Sequence, residues 1–268
     1  PGTMKDSDAG TAMVLLPFLG RGYTHKEGPS EYKKAVEKGL AHLAGLAMQN
    51  NGKVFGAGVG HAGMYVQGLG GIVLSEAYGM SQDQRLAQPA QLSLNYIMSA
   101  QDKAGGGWRY NPGQPGDTSV VGWAIMALKS GNMAYLTIDP NAVKGAVKFL
   151  DSVKGDEYGS CYGYTGPGNG PATSAVGLLC RMYLGWKKDN MEGDMWRSWN
   201  DKMKKLLLPA QSDKGHEAGS WYEGVNGGRG GHIGGRLYCT AMATMMLEVY
   251  YRHLPIYRTQ SVEEDFQE

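Results

Sequence analysis

The stretch QDKAGGGWRYNPGQPGDTSVVGWAIMALKSG, residues 101–131, decides the fold. It begins with a glutamine and a glycine-rich loop that carries Trp108, and it continues as an apolar segment of mostly small residues that starts at Thr118. Glycines allow the chain to turn sharply, and an unbroken apolar segment is typical of a helix that is buried on all sides. The stretch therefore predicts a loop that leads into an inner helix.

Similar apolar segments recur along the chain at nearly equal spacing. Their successive starts are 54, 53, 55 and 67 residues apart, and the first three spacings are nearly equal, which indicates tandem repeats. Between them lie segments with a charged face, whose apolar residues follow the helical period of 3.6 residues. The inner segments start at Thr11, Tyr65, Thr118, Thr173 and Thr240, and the outer segments are Tyr32–Gln49, Gln84–Gln101, Asn141–Val153 and Trp196–Gln211. The sequence therefore predicts an all-α protein made of helical hairpins.

The loops between outer and inner helices share a pattern. Gln211 precedes Gly219-Ser220-Trp221 in the loop 212–235 as Gln101 precedes Gly107-Trp108, and Gln49 followed by Val54-Phe55-Gly56 is a weaker copy. We expect the aromatic ring to wedge between adjacent hairpins while the glutamine amide bonds the loop backbone.

The pattern of glutamine, glycine and tryptophan before a Thr-Ser or Thr-Ala apolar helix resembles the prenyltransferase and squalene-oxidase repeat. This repeat is found in squalene–hopene cyclases and protein prenyltransferases, and the resemblance is greatest to a bacterial branch of that superfamily. It extends from about Thr11 to Tyr257. It implies an α/α toroid, an incomplete barrel of about 4.5 hairpins of ~54 residues each, which forms one domain over residues 1–257 and is followed by an acidic tail, 258–268.

The chain departs from that branch at one place. Relatives carry another helix pair between the segments that here end at Trp186 and begin at Trp196, but only Lys187–Met195 lies between them. The resemblance therefore implies either a ring with one hairpin fewer or a sequence from which these residues are missing.

Composition excludes several classes of function. The 26 basic and 25 acidic residues are scattered and nearly balanced, which argues against a nucleic-acid partner. The three cysteines are far apart, so neither a disulfide framework nor a zinc knuckle is indicated. No apolar run is long enough to predict a transmembrane segment. No cofactor is predicted.

The resemblance implies two chemistries, and this chain lacks most of the residues that each of them requires. Cyclases of the superfamily use an Asp-x-Asp-Asp-Thr acid, of which only Asp117 remains, and a helix N-cap is the simpler role for it. The prenyltransferase zinc ligands Asp, Cys and His are missing around Cys161, Cys180 and Cys239, so no metal site is predicted. The loop histidines are the remaining metal-like set: His61, His216 and His232.

Polar and aromatic residues of equivalent loops should meet at one end of the toroid. Helical toroids bind glycans in grooves lined by such rings, although the same rings could serve only to pack the repeats. The predicted catalytic residues are Asp117, His216 and Glu217. The predicted ligand-binding residues are Trp108, Arg109, Tyr110, Tyr162, Tyr164, Trp221 and Arg236, with Tyr222 beside them.

These observations leave three classes of function open. The first is a domain that binds a lipid, an isoprenoid or another ligand such as a glycan, in the cavity or at the aromatic rim, without standard cyclase or zinc chemistry. The second is an enzyme that acts on a terpenoid or a polysaccharide with catalytic groups on the loops. The third is a structural scaffold for protein interactions, which could form homo-oligomers through its end hairpins.

Overall fold

The computed structural model describes residues 7–56, 62–185, 204–205, 207–222 and 228–248, with the backbone alone for 228–234, 246 and 248. Within these ranges the regular structure is helical and no β-strand occurs. The helices are α1 (Ser7–Gly20), α2 (Ser30–Gln49), α3 (Gly63–Ser81), α4 (Gln84–Ser99), α5 (Thr118–Met133), α6 (Pro140–Ser152), α7 (Pro171–Tyr183) and α8 (Gly228–Glu248). None of the described helices combines the length and apolarity needed to cross a bilayer.

Helices of two types are present, as the sequence predicts, although α7, predicted as an inner helix, buries only three of its 13 residues. The central inner helices α3 and α5 bury most of their residues, whereas the outer helix α2 buries only Val36, Leu40, Leu43 and Ala47. The predicted outer segment Trp196–Gln211 lies mostly outside the described residues. The predicted acidic tail, 258–268, lies outside them entirely, as does the segment between Trp186 and Trp196.

The predicted loop 212–235 is partly helical. A short 3₁₀ turn spans Gly215–Glu217, and α8 already begins at Gly228. Gly235 interrupts α8 with φ 69° and ψ −168°, so a separate helix starts after it, close to the predicted inner segment.

The inner helices contact one another in chain order. Helix α1 packs on α3, α3 on α5 and α5 on α7, while α2 and α4 contact each other outside them. Helix α8 packs on α1, so the last inner helix returns to the first. Small residues permit the close approach: a Cβ atom at Gly68 of α3 would lie 2.7 Å from the Cβ atom of Trp123 in α5.

Hydrogen bonds between side chains join equivalent positions of successive repeats. Each of three such bonds links residues that are 54 positions apart, which is the spacing read from the sequence. The repeat period therefore holds at the level of side-chain contacts in the middle of the chain. The three pairs are Tyr65 with Ser119, Glu76 with Ser130, and Tyr110 with Tyr164.

The predicted loop contacts are present in the two tryptophan loops. The Trp108 indole N–H donates to the Ile97 carbonyl at 2.7 Å, and the Gln101 amide donates to the Gly106 carbonyl at 2.7 Å. The later loop repeats both bonds: Trp221 donates to the Leu207 carbonyl at 2.8 Å, and Gln211 to the Gly219 carbonyl at 3.0 Å.

In the loop before α3, a different glutamine forms the bonds to the loop backbone. Gln49 was expected to bond this loop, but it lies on the exposed face of α2. Instead the buried Gln67 of α3 accepts from the Val54 N–H at 3.0 Å and donates to the Gly52 carbonyl at 2.9 Å. The expectation for Gln49 was wrong because an inner helix supplies the amide here.

Asp83 ties the loop before α2 to the start of α4. One carboxylate oxygen accepts from the Arg85 backbone N–H at 3.0 Å and caps α4, and the other contacts His25 Nε2 at 2.8 Å. The Arg85 side chain also donates to Asp83, and these bonds, with that of His25, lower the pKa of Asp83 well below its ordinary value of 3.8.

We expect Asp83→Asn to destabilise the protein in a pH-dependent manner. Because the folded pKa lies below the unfolded value of 3.8, the charged carboxylate stabilises the fold above pH 3.8, and this contribution is lost as the pH falls further toward the folded pKa. The gap in thermal midpoint between wild type and variant should therefore close in acid. Asp139→Asn is the control, since Asp139 caps α6 without an ion pair to a described residue. A gap that stays constant with pH would contradict the prediction.

Candidate tyrosine rim

Asp117 is fully buried and caps helix α5. Its Oδ1 accepts hydrogen bonds from the backbone N–H groups of Ser119 and Val120, both at 3.0 Å, and from the Ser119 hydroxyl at 2.6 Å. The predicted N-cap is therefore present. A carboxylate at this position also faces the positive end of the helix dipole.

The second oxygen of Asp117 faces Arg109. Its Oδ2 lies 3.6 Å from Arg109 Nε, which is too long for a hydrogen bond. Both atoms are buried, and neither has a hydrogen-bond partner among the described residues. The pair is thus held together by charge, and neither Arg109 Nε nor Asp117 Oδ2 forms a hydrogen bond with a described residue.

Three tyrosines from successive repeats surround this pair. The Tyr65 hydroxyl lies 2.6 Å from the Ser119 hydroxyl, so hydrogen bonds run from Tyr65 through Ser119 to Asp117. The Tyr110 and Tyr164 hydroxyls lie 2.6 Å apart. The rings of Tyr65 and Tyr110 also pack, with centroids 6.1 Å apart. We call the set Tyr65, Arg109, Tyr110 and Tyr164 the tyrosine rim.

The guanidinium group of Arg109 lies against two of these rings. Its central carbon is 5.2 Å from the centroid of Tyr110 and 6.0 Å from that of Tyr164, distances at which a cation is attracted to an aromatic face. Tyr164 is 39% exposed, and the Arg109 side chain is 36% exposed. The rim is therefore accessible, whereas Asp117 beneath it is not.

The phenols of Tyr65 and Tyr164 are held in the neutral form. Burial is the main cause that raises the pKa of Tyr65, and the charge of Asp117 adds to it. Burial also raises the pKa of Tyr164 well above its ordinary value, together with the hydrogen bond between Tyr164 and Tyr110 and the charge of Asp117. At neutral pH both hydroxyls can therefore donate as well as accept hydrogen bonds.

Three predicted ligand-binding rings are packed inside the protein instead. Trp108 and Tyr162 are fully buried, and Trp221 is nearly so. The Tyr162 hydroxyl accepts from Arg181 Nε at 3.1 Å, and Arg181 also pairs with Asp151 at 2.6 Å. These rings are buried as packing residues, which agrees with the alternative role that the sequence left open.

The other predicted residues form a separate group near the start of α8. Arg236 donates to Glu217 at 2.8 Å and to the Ser220 hydroxyl at 3.0 Å, and its guanidinium carbon lies 5.1 Å from the ring centroid of Tyr222. His216 is 94% exposed, with Nε2 3.8 Å from Glu217.

The described residues give no hydrogen bond or ion pair between this group and Asp117. Direct contacts therefore do not unite the predicted catalytic residues Asp117, His216 and Glu217.

The described residues contain no group of His, Cys, Asp and Glu that could hold a metal ion. His61 and the side chain of His232 lie outside the described residues. Cys180 is fully buried, and burial raises the pKa of its thiol to about 12. This is the packed thiol that the apolar helix around it predicts.

Two residues of the site were not predicted as site residues. Tyr65 was read only as the start of an inner segment, and Ser119 only as part of one. The signal was present in the repeat itself, because Tyr65 precedes Ser119 by 54 residues, as Tyr110 precedes Tyr164. Aligning the repeats at this period pairs Tyr65 with Ser119 and Tyr110 with Tyr164.

Comparisons with known proteins give no further guide to the function of this site. No match to the chain was found among protein-family models, curated proteins or solved structures. The geometry of the tyrosine rim is accordingly the basis for assigning a function.

Proposed function

We propose that the chain forms an α/α toroid of the prenyltransferase and squalene-oxidase repeat type, and that it binds a glycan at the tyrosine rim. The toroid is supported by the order of inner-helix contacts and by the packing of α8 on α1. The spacing of 54 residues between hydrogen-bonded equivalents also supports it. In such a ring, the loops before α3, α5 and α7 lie at the same end.

One observation carries the binding function. Three successive repeats place a tyrosine at a single accessible point, above a buried carboxylate whose hydrogen bonds fix Ser119 and through it Tyr65. Buried polar groups are costly, and a supported cluster of this kind is typical of a site whose geometry must be kept. Most residues of α3 and α5, in contrast, are buried, which favours the rim over the cavity.

The chemistry of the rim favours a glycan over an isoprenoid. Tyrosine rings can stack on the apolar faces of sugar rings, while their hydroxyls and the Arg109 guanidinium match sugar hydroxyls. A hydrocarbon chain at the same place would desolvate these polar groups without giving them new partners.

We expect Tyr164→Phe to weaken glycan binding about threefold to tenfold, because one neutral hydrogen bond is lost while the stacking ring remains. Isothermal titration calorimetry with chitohexaose, cellohexaose and oligogalacturonate gives the measurement. Tyr135→Phe is the matched control, since Tyr135 is 74% exposed and lies outside the rim. Binding of farnesyl diphosphate with no binding of any of the three glycans would overturn the proposal in favour of an isoprenoid.

An enzyme that acts on a polysaccharide is the second candidate. It is favoured by the two short hydrogen bonds, each 2.6 Å, that connect the exposed side of Tyr65 through Ser119 to Asp117. Such a chain can take a proton from a water molecule that attacks the sugar and pass it through Tyr65 and Ser119 to Asp117, while the leaving oxygen takes its proton from solvent water. Mass spectrometry of the same glycans after incubation would show shortened chains with wild type and not with Tyr65→Phe. Unchanged chain lengths with wild type would leave binding as the function.

A further inference from the structure

We infer that the tyrosine rim selects glycans that carry carboxylate groups, and that the Arg109 guanidinium binds the carboxylate. This inference rests on the proposed glycan-binding function and deepens it by naming the class of ligand. It assigns Arg109 the role of a specificity residue, whereas the tyrosines bind the sugar itself.

The two sides of the Arg109 guanidinium have different surroundings. Its Nε is buried and faces Asp117 Oδ2 at 3.6 Å, and its plane lies near the rings of Tyr110 and Tyr164. Neither terminal nitrogen donates a hydrogen bond to a described residue. Asp117 and the rings of Tyr110 and Tyr164 therefore fix the position of the guanidinium group. Because its two terminal nitrogens have no hydrogen-bond partner among the described residues, they can bind a ligand.

This arrangement suits a carboxylate better than a neutral sugar hydroxyl. The terminal N–H groups of arginine form a rigid fork that matches the two oxygens of a carboxylate, and such charged pairs are stronger than neutral hydrogen bonds. Asp117 pairs with Arg109 Nε by charge but accepts no hydrogen bond from either terminal nitrogen, so the fork stays available to a carboxylate, and the positive end of α5 offsets part of the negative charge of Asp117.

The charge balance of the rim favours a singly charged group. Arg109 is the cationic member of the rim, the phenols of Tyr65 and Tyr164 are neutral, and Asp117 lies directly beneath. A diphosphate carries several negative charges and would meet one cation beside a buried carboxylate. A uronic acid carries one charge on a ring whose hydroxyls and apolar face suit the tyrosines.

The test compares oligogalacturonate with its methyl ester, which keeps the same rings and hydroxyls but has no charge. Wild type should bind the acid about tenfold to a hundredfold more tightly than the ester, as expected for a charge-assisted pair. Arg109→Gln should abolish this preference, so that the variant binds the acid no more tightly than the ester, because the tyrosines still hold the sugar. Added salt should weaken acid binding far more than ester binding.

The outcomes separate this inference from the proposed function. Equal binding of acid and ester by wild type, or a preference that survives in Arg109→Gln, would overturn the role of Arg109 and leave glycan binding intact. Absence of binding to both forms and to the neutral glycans would overturn the proposed function itself. If Arg109→Gln no longer binds the ester, Arg109→Lys is the deciding variant, because it keeps the charge without the fork. A reduced preference for the acid with ester binding retained supports the inference. An unchanged preference overturns it.

Discussion

Replacing Trp108 with alanine should lower the free energy of unfolding by about 3–5 kcal/mol, the cost of removing a large buried ring and leaving a cavity. The ring is fully buried in the main core and donates its N–H to the Ile97 carbonyl at 2.7 Å. Urea unfolding followed by far-ultraviolet circular dichroism measures the effect without relying on tryptophan emission.

Two further variants divide this cost between packing and hydrogen bonding. Trp108→Phe keeps most of the apolar contact and loses the N–H bond, so it should cost only about 1–2 kcal/mol. Trp221→Ala removes the same contact from the later loop, where the ring packs in a small separate cluster with Leu207 and Ala243. Trp221→Ala should therefore lower the free energy of unfolding less than Trp108→Ala does. An equal decrease would contradict the prediction that the ring of the central loop stabilises the fold more.

Gly106→Ala should destabilise the protein by about 2–5 kcal/mol, and Gly113→Ala, in the same loop, by about 1–2 kcal/mol. Both glycines have positive φ, 79° and 73°, so both variants carry the strain of a left-handed backbone. A Cβ atom at Gly106 would also lie 2.1 Å from the backbone oxygen of Gly145 in α6, whereas at Gly113 no atom lies within 4 Å.

The difference between these two variants isolates the close approach of the loop to α6. Thermal unfolding monitored by circular dichroism gives both values under the same conditions. Equal destabilisation by the two substitutions would show that α6 can move away from the loop, and that the contact with Gly145 does not constrain it.

Local patterns predicted the helices and their two types well, because burial on one face or on all faces leaves a direct trace in the order of apolar residues. The spacing of the segments at 118 and 173, for example, placed α5 and α7 to within a few residues of their observed starts. Asp117 could also be predicted as a cap, since an N-cap is recognised by the residues that immediately follow it.

The site was harder to predict because it depends on contacts between distant segments. Whether an aromatic ring wedges between hairpins or faces a ligand is decided by neighbours from other repeats, and Trp108 and Tyr110 differ in this respect although only one residue separates them. The same limit explains Gln67, since nothing in its own helix shows that a loop 13 residues earlier needs its amide.

The contact between α1 and α8 gives the molecule a seam that joins segments about 200 residues apart in the chain. In an open solenoid, each repeat contacts only its neighbours, so the ends can unfold while the middle persists. A seam removes this freedom, because loosening either of the two helices exposes the apolar face of the other. Native-state hydrogen exchange should therefore show α1 and α8 opening together as one cooperative unit. These are the two described helices that lie furthest apart in the sequence.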